Sequence, residues 1–311
     1  MSGGRGRGHA AEPAPAPPAP REAASATRAR PPLIPDRTLW IDGRLYRGDA
    51  AKVSLFDRGA RDGEGLFETI RVEGGRPLQW DRHLERLVLS AAELGFPVPP
   101  APAVLRAALD QVLAAADLAD AVARLTVTRG IPGRRPTRAG AWLEAEPLEA
   151  RRWRGTRAGA ASAIVSRTPF QPGALGRHKT TSRLVYQLAR EEARAARADE
   201  ALLADADGEL LEGAVSNIFL ILAGEILSPP LARGILPGIA RSTVFRACAR
   251  LGWSAHEARL EIADFGRAEA AFVTNCVQEV VPLVQVGDRS IPGDARVDRL
   301  KDAARELAIG D

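Results

Sequence analysis

Short apolar runs set between glycine turns restrict this chain to a fold that mixes small antiparallel strands with helices. Leu39-Trp40-Ile41 and Arg44-Leu45-Tyr46 flank Asp42-Gly43, a dipeptide suited to the left-handed residues of a tight hairpin turn. The same pattern returns as Glu200 to Ala204, an Asp207-Gly208 turn, Glu209 to Leu211, Ser216 to Leu222, an Ala223-Gly224 turn and Glu225 to Leu227. That stretch reads as a β meander. Further strands are expected at Val53-Ser54-Leu55, Phe67 to Val72, Arg124 to Gly130, Trp142 to Ala145, Ala163 to Ser166 and Ala271 to Thr274. Gly59, Gly63 and Gly65 lack the GxGxxG spacing and lead into a strand instead of a helix, which argues against a dinucleotide fingerprint.

Between the strands lie patterns of helical period. Trp80 to Phe96 carries Leu84, Leu87, Val88, Ala91 and Leu94 on one face and stops at Gly95 and Pro97; Val104 to Ala116 follows. A third helix carries Leu184, Val185 and Leu188, a fourth Ala240, Val244, Ala247, Cys248 and Leu251, and a last Val297, Leu300, Ala304 and Leu307. The expected class is mixed α/β (α+β) in two domains, residues 37–150 and 161–311. The Arg-rich stretch 151–160 has neither strong period nor apolar content and serves as the linker.

Composition narrows the setting. Residues 1–36 are Ala, Pro, Gly and Arg with almost nothing to bury, so the sequence predicts a disordered tail. An Arg-rich, acid-poor leader also fits an organelle transit peptide. The formal charge of +4 owes much to Arg5, Arg7, Arg21, Arg28 and Arg30, which leaves the body close to neutral and nucleic acid an unexpected partner. Cys248 and Cys276 form neither a disulfide framework nor a zinc pattern, so a reducing, cytoplasmic location and no metal are expected. No apolar run is long enough to span a bilayer.

Arginine supplies nearly every cation, and only Lys52, Lys179 and Lys301 are lysines. Lysine alone among the two can lose its proton when buried and act as a nucleophilic amine, so Schiff-base chemistry requires it. Lys301 falls off the apolar stripe of the last helix and reads as a solvated charge. Lys52 sits in an ordinary loop or strand edge. Lys179 follows the loop Pro169-Phe170-Gln171-Pro172-Gly173-Ala174-Leu175-Gly176 and precedes a helix, a junction that can aim a side chain into a cleft or simply into solvent. Arg86, off its helix's apolar stripe, reads unaided as solvated. The basic loop Ile131-Pro132-Gly133-Arg134-Arg135-Pro136 could grip a carboxylate or be a solvated turn. Glu212 stands at an apolar strand end, and Pro237-Gly238-Ile239-Ala240 opens a helix whose first N–H groups could hold a phosphate.

Taken together from about Leu39 to Pro292, these pieces resemble the fold-type IV enzymes that use pyridoxal 5'-phosphate: branched-chain and D-amino acid aminotransferases and 4-amino-4-deoxychorismate lyases. The stretches that carry the resemblance are Asp57-Arg58-Gly59 with Phe67-Glu68-Thr69, His83-Leu84-Glu85-Arg86-Leu87, Thr128-Arg129-Gly130, Lys179, Glu212 with Ser216-Asn217, Leu236-Pro237-Gly238-Ile239, and Thr274-Asn275 with Pro282. The resemblance implies a homodimer acting on a small amino substrate, with the cofactor between two domains. Lys179 would bind it as a Schiff base and shuttle protons, Glu212 would face the pyridine nitrogen, and Arg86, Ile239, Ala240 and Cys276 would form the phosphate cup. Family members commonly carry hydroxyls where Ala240 and Cys276 stand. Phe67 and Arg134 would meet the substrate.

Lys179-Thr180-Thr181-Ser182-Arg183-Leu184 is similar to the lyase pattern, and the tyrosine of branched-chain aminotransferases is absent at Leu184. The expected reaction is release of pyruvate and 4-aminobenzoate from 4-amino-4-deoxychorismate, for folate synthesis. Amino-acid transamination is the alternative, and a non-catalytic, basic-tailed RNA-binding protein the remote one.

Overall fold

The computed structural model describes Met1, residues 37–133 and residues 138–310. Two sheets share one body. The first has six strands in the order β2-β1-β6-β5-β3-β4. These are β1 (Thr38–Ile41), β2 (Arg44–Arg47), β3 (Gly65–Glu73), β4 (Arg76–Pro77), β5 (Ala121–Thr128) and β6 (Gly140–Pro147). The expected hairpin forms: Asp42 and Gly43 turn between β1 and β2 with φ of 46° and 101°. A short helix α1 (Arg58–Asp62), capped by the Asp57 carboxylate on the Gly59 N–H, occupies the glycine-rich bend.

The strand expected at Val53-Ser54-Leu55 does not form. Ser54 closes a turn instead, its hydroxyl accepting from the Phe56 N–H at 3.1 Å and its carbonyl from the Asp57 N–H at 3.0 Å. Helices α2 (Trp80–Glu93) and α3 (Pro102–Ala116) pack Leu84, Leu87, Ala91, Leu105, Leu109 and Val112 against Leu66, Ile70, Leu125 and Leu143 of the sheet. Val88, expected in that stripe, is exposed. Two short helices, α4 (Leu148–Arg151) and α5 (Arg154–Ala158), lie across the stretch read as a linker.

The second sheet runs β12-β11-β10-β14-β15-β7-β8-β9-β13, with β16 paired to β15. Its strands are β7 (Ala161–Val165), β8 (Glu200–Ala204), β9 (Glu209–Gly213), β10 (Asn217–Leu222), β11 (Glu225–Ser228), β12 (Ala255–Glu257), β13 (Leu260–Glu261), β14 (Ala270–Asn275), β15 (Glu279–Val286) and β16 (Arg289–Ser290). The expected meander is instead two hairpins, β8-β9 and β10-β11, separated by β14, β15 and β7. The reason lies in β10, apolar on both faces: Ile218, Leu220 and Leu222 enter one core and Phe219 and Ile221 another. Such a strand belongs inside a sheet covered on both sides.

Helix α6 (Leu184–Ala195) makes the crossover between the parallel strands β7 and β8, while α7 (Ile239–Leu251) and α8 (Ala295–Gly310) cover one face. The apolar stripe expected of α6 points outward: Leu184, Val185 and Leu188 are exposed, and Tyr186, Ala189 and Ala193 are buried. Among the described residues no helix is long and apolar enough to cross a membrane.

Candidate active site

A cavity of about 500 Å³ opens between the two sheets, and most of the expected site residues line it. Phe67 and Arg86 come from the first half of the chain, and Lys179, Glu212, Ile239, Ala240 and Cys276 from the second. Arg134 lies outside the described residues.

Lys179 arrives on a segment that borrows the first sheet for support. Its carbonyl accepts the Phe67 N–H at 2.9 Å, Thr180 bridges Leu66, and the Thr181 N–H donates to Gly65 at 2.8 Å. That approach needs glycine at 65, because a Cβ there would meet Thr181 Oγ1 at 2.7 Å. The amine sits 4.7 Å from the Phe67 ring centroid. Burial, with the nearby Arg86 and Arg183 cations, pulls its pKa down to about 7. Near neutral pH a large fraction is therefore the free amine, the nucleophilic form. Lys52 is exposed and Lys301, on α8, is half-buried, and neither lines the cavity.

Glu212, in β9, is buried at the cavity floor. One carboxylate oxygen accepts the Leu236 N–H at 3.1 Å and the other the Tyr186 hydroxyl at 3.3 Å. Without a directly bonded cation, burial dominates and pushes its pKa up to about 7.

Arg86 is not a solvated arginine. Its Nε and Nη2 fork onto Glu68 at 2.9 and 2.5 Å, and Nη1 donates to the Pro237 carbonyl at 3.0 Å, which ties α2 to the loop before α7. Glu68 also meets His83 Nδ1 at 2.7 Å, and these cations bring its pKa down to about 2 against the cost of burial. Cys276 lies beside His83 and Arg86, which pull its thiol below the usual range although burial opposes them. The N-terminus of α7 completes this end of the cavity through Gly238, Ile239 and Ala240. Gly238 has no room for a side chain: a Cβ would stand 2.0 Å from Asn217 Oδ1.

Sequence reasoning assigned no role to Arg124, Tyr186, Arg190, Glu68 or His83. Arg124 lies 3.7 Å over the Phe67 ring and makes no hydrogen bond among the described residues. It lines the cavity with Arg151, Arg152, Arg183 and Arg190. The alternation of β5 already put Arg124 on a defined face, but only the tertiary fold puts that face over Phe67.

A floor carboxylate, a buried amine of low basicity and an anion-suited helix start, all in one cavity, match a phosphate-bearing aromatic aldehyde better than a metal or nucleotide. The family model for amino-transferase class IV matches residues 65–286. The chain belongs to that family. A Methanocaldococcus jannaschii protein provisionally named branched-chain-amino-acid aminotransferase is 32% identical over 264 residues, which cover 81% of this chain and 89% of that one. The aminodeoxychorismate lyase of Bacillus subtilis is 27% identical over 258 residues, covering 80% and 86%. Two longer Arabidopsis thaliana proteins, named branched-chain-amino-acid aminotransferase-like, are matched over 50% and 47% of their lengths.

Among solved structures, the Thermoproteus uzoniensis branched-chain aminotransferase with norvaline superposes at a TM-score of 0.78 with 26% identity, covering 88% of this chain and 95% of that one. The T.th. branched-chain amino acid aminotransferase complexed with N-(5'-phosphopyridoxyl)-L-glutamate gives 0.76 and 26%, covering 89% and 95%. This class IV aminotransferase family member thus has the mixed α/β architecture of fold-type IV.

Proposed function

We propose that the chain is an amino-acid aminotransferase that holds pyridoxal 5'-phosphate on Lys179. Enzymes of its family use this cofactor, and the residues present fit it. When bound, the cofactor supplies an electron-withdrawing ring that stabilises negative charge on the carbon beside the substrate nitrogen.

The single observation that carries the reading is the pairing, in one cavity, of a lysine amine with pKa near 7 and the buried carboxylate of Glu212. Lys179 accepts and returns the proton at the carbon next to the amino nitrogen. Glu212 would meet the ring nitrogen. The N–H groups of Ile239 and Ala240 at the start of α7, with Arg86 and Cys276 beside them, would receive the phosphate. Three relatives named above as a provisional aminotransferase or aminotransferase-like, and two aminotransferase structures, support transamination, and the exposed Leu184, Val185 and Leu188, together with Leu55 and Phe56, support a homodimer that covers them.

The second reading is the 4-amino-4-deoxychorismate lyase. Arg124, Arg183 and Arg190 at the cavity wall suit a substrate with two carboxylates, and Lys179-Thr180-Thr181-Ser182-Arg183-Leu184 is similar to the lyase pattern. One experiment separates the two. Cofactor-loaded protein is mixed in parallel with a panel of D- and L-amino acids and with 4-amino-4-deoxychorismate. Conversion of the cofactor spectrum to the pyridoxamine form by an amino acid, sustained by a keto acid, is expected. Joint release of pyruvate and 4-aminobenzoate, without such conversion, replaces the first reading with the second.

A further inference from the structure

Glu212 presents a problem that its role does not solve. A carboxylate facing a ring nitrogen must be charged to keep that nitrogen protonated, yet in the cofactor-free chain burial pushes its pKa up to about 7. The groups that bear on it are few: the Leu236 N–H, the Lys179 amine, and Arg183 and Tyr186 on or just before α6. Among the described residues only the Leu236 N–H and the Tyr186 hydroxyl donate hydrogen bonds to it.

Tyr186 is held for that contact on two sides. Its ring packs edge-on against Phe170, with centroids 5.1 Å apart. Arg183, three residues earlier and so on the same helical face, lies with its guanidinium 3.5 Å over the ring. Arg183 is itself braced by a 2.7 Å bond to the Ala214 carbonyl, next to β9. A phenol has one hydrogen to give. Glu212 Oε1 takes that hydrogen at 3.3 Å. Glu200 on β8 draws on Arg183 from the other side, but its oxygens are already engaged with Ser216 Oγ and the N–H groups of Ala201 and Val215.

We propose that Arg183 and Tyr186 are positioning residues that hold Glu212 in its charged form, oriented toward the cofactor's ring nitrogen. The inference rests on the cofactor reading above and goes beyond it, since it assigns the electronics of the ring to two residues that need not touch substrate. The segment from Lys179 to Tyr186 then carries both the amine that bonds the cofactor and the donors that set the far side of its ring.

The test compares wild-type chain with Tyr186→Phe, Arg183→Gln and Arg183→Lys, each as full-length protein, with and without cofactor. Without cofactor, a carboxylate of raised pKa makes the folded state bind the extra proton. Glu212 therefore makes stability fall as pH rises from its ordinary 4.5 to about 7. Removing the phenol donor should extend that fall upward by about one pH unit, read by denaturant unfolding across the window. With cofactor, the pH at which the visible spectrum changes should move up by a similar amount in Tyr186→Phe and Arg183→Gln, and less in Arg183→Lys. The double variant should move it further than either single one, because Arg183 acts on Glu212 by its charge and Tyr186 by its hydrogen bond.

Variants that only lower stability by the same amount at every pH, with an unmoved spectrum, overturn the proposal. If wild-type chain takes up no cofactor, the cofactor reading fails, and the cofactor-free profiles still decide whether Arg183 and Tyr186 control Glu212.

Discussion

Lys179 shows how a residue acquires chemistry from its surroundings. Its pKa falls from 10.5 to about 7 because burial disfavours the charge and Arg86 and Arg183 repel it. In the cofactor-free chain the unfolded state then binds more protons than the folded one between those values. Stability should therefore rise with pH across that window, a slope that Lys179→Met removes, as unfolding in denaturant at several pH values will show. The same substitution should lower turnover of loaded enzyme by roughly 10²–10⁴-fold, the usual worth of a positioned acid-base group. Lys179 stood out as one of three lysines, but its loop-to-helix junction left cleft and solvent both open, and the family resemblance assigned its role. Arg86 was legible only by resemblance, since its burial depends on Glu68 from β3 and the Pro237 carbonyl, neither near it in sequence. Tyr186 could not be found that way: Leu184, Val185 and Leu188 look like the buried face of α6, and the fold turns them out and Tyr186 in.

Elements position the site by close backbone approach and by what they leave uncovered. β3 and the Lys179 segment touch at Gly65, where a Cβ would collide with the Thr181 side chain at 2.7 and 2.8 Å. Gly65→Ala should cost about 1–3 kcal/mol of stability through overpacking and weaken cofactor retention, measured by unfolding and by dialysis of the loaded protein. The outward face of α6 makes a second prediction. Leu184→Glu with Leu188→Glu should convert a dimer into monomers in sedimentation while leaving the helical circular dichroism unchanged; an unchanged sedimentation coefficient would remove α6 from the subunit contact. Strand identity was largely legible from turn dipeptides and apolar runs. Strand order was not, because pairing β10 with β14 instead of β9 is decided by which faces need covering.

At the scale of the whole molecule, charged contacts tie the two sheets together behind the cavity. Arg71 of β3, buried, bonds the Val277 carbonyl at 2.9 Å and pairs with Glu279 at 3.0 Å. Arg305 of α8 joins Glu73 at 2.9 Å and Glu279 at 2.6 Å. Glu279 adopts φ of 63°, a conformation that a non-glycine residue holds only when its neighbours fix it. These contacts hold the turn that carries Cys276 and Val277 against the cavity. Arg71→Met, which leaves two carboxylates short of a partner, should reduce stability by roughly 3 kcal/mol, seen as a lower Tm in calorimetry.

The account turns on which amine holds the cofactor, and the chain's three lysines make that a single measurement. Protein loaded with pyridoxal 5'-phosphate is reduced with borohydride, digested and mapped by mass spectrometry. The account predicts one stable adduct, on Lys179. An adduct on Lys52 or Lys301 with Lys179 unmodified would contradict it.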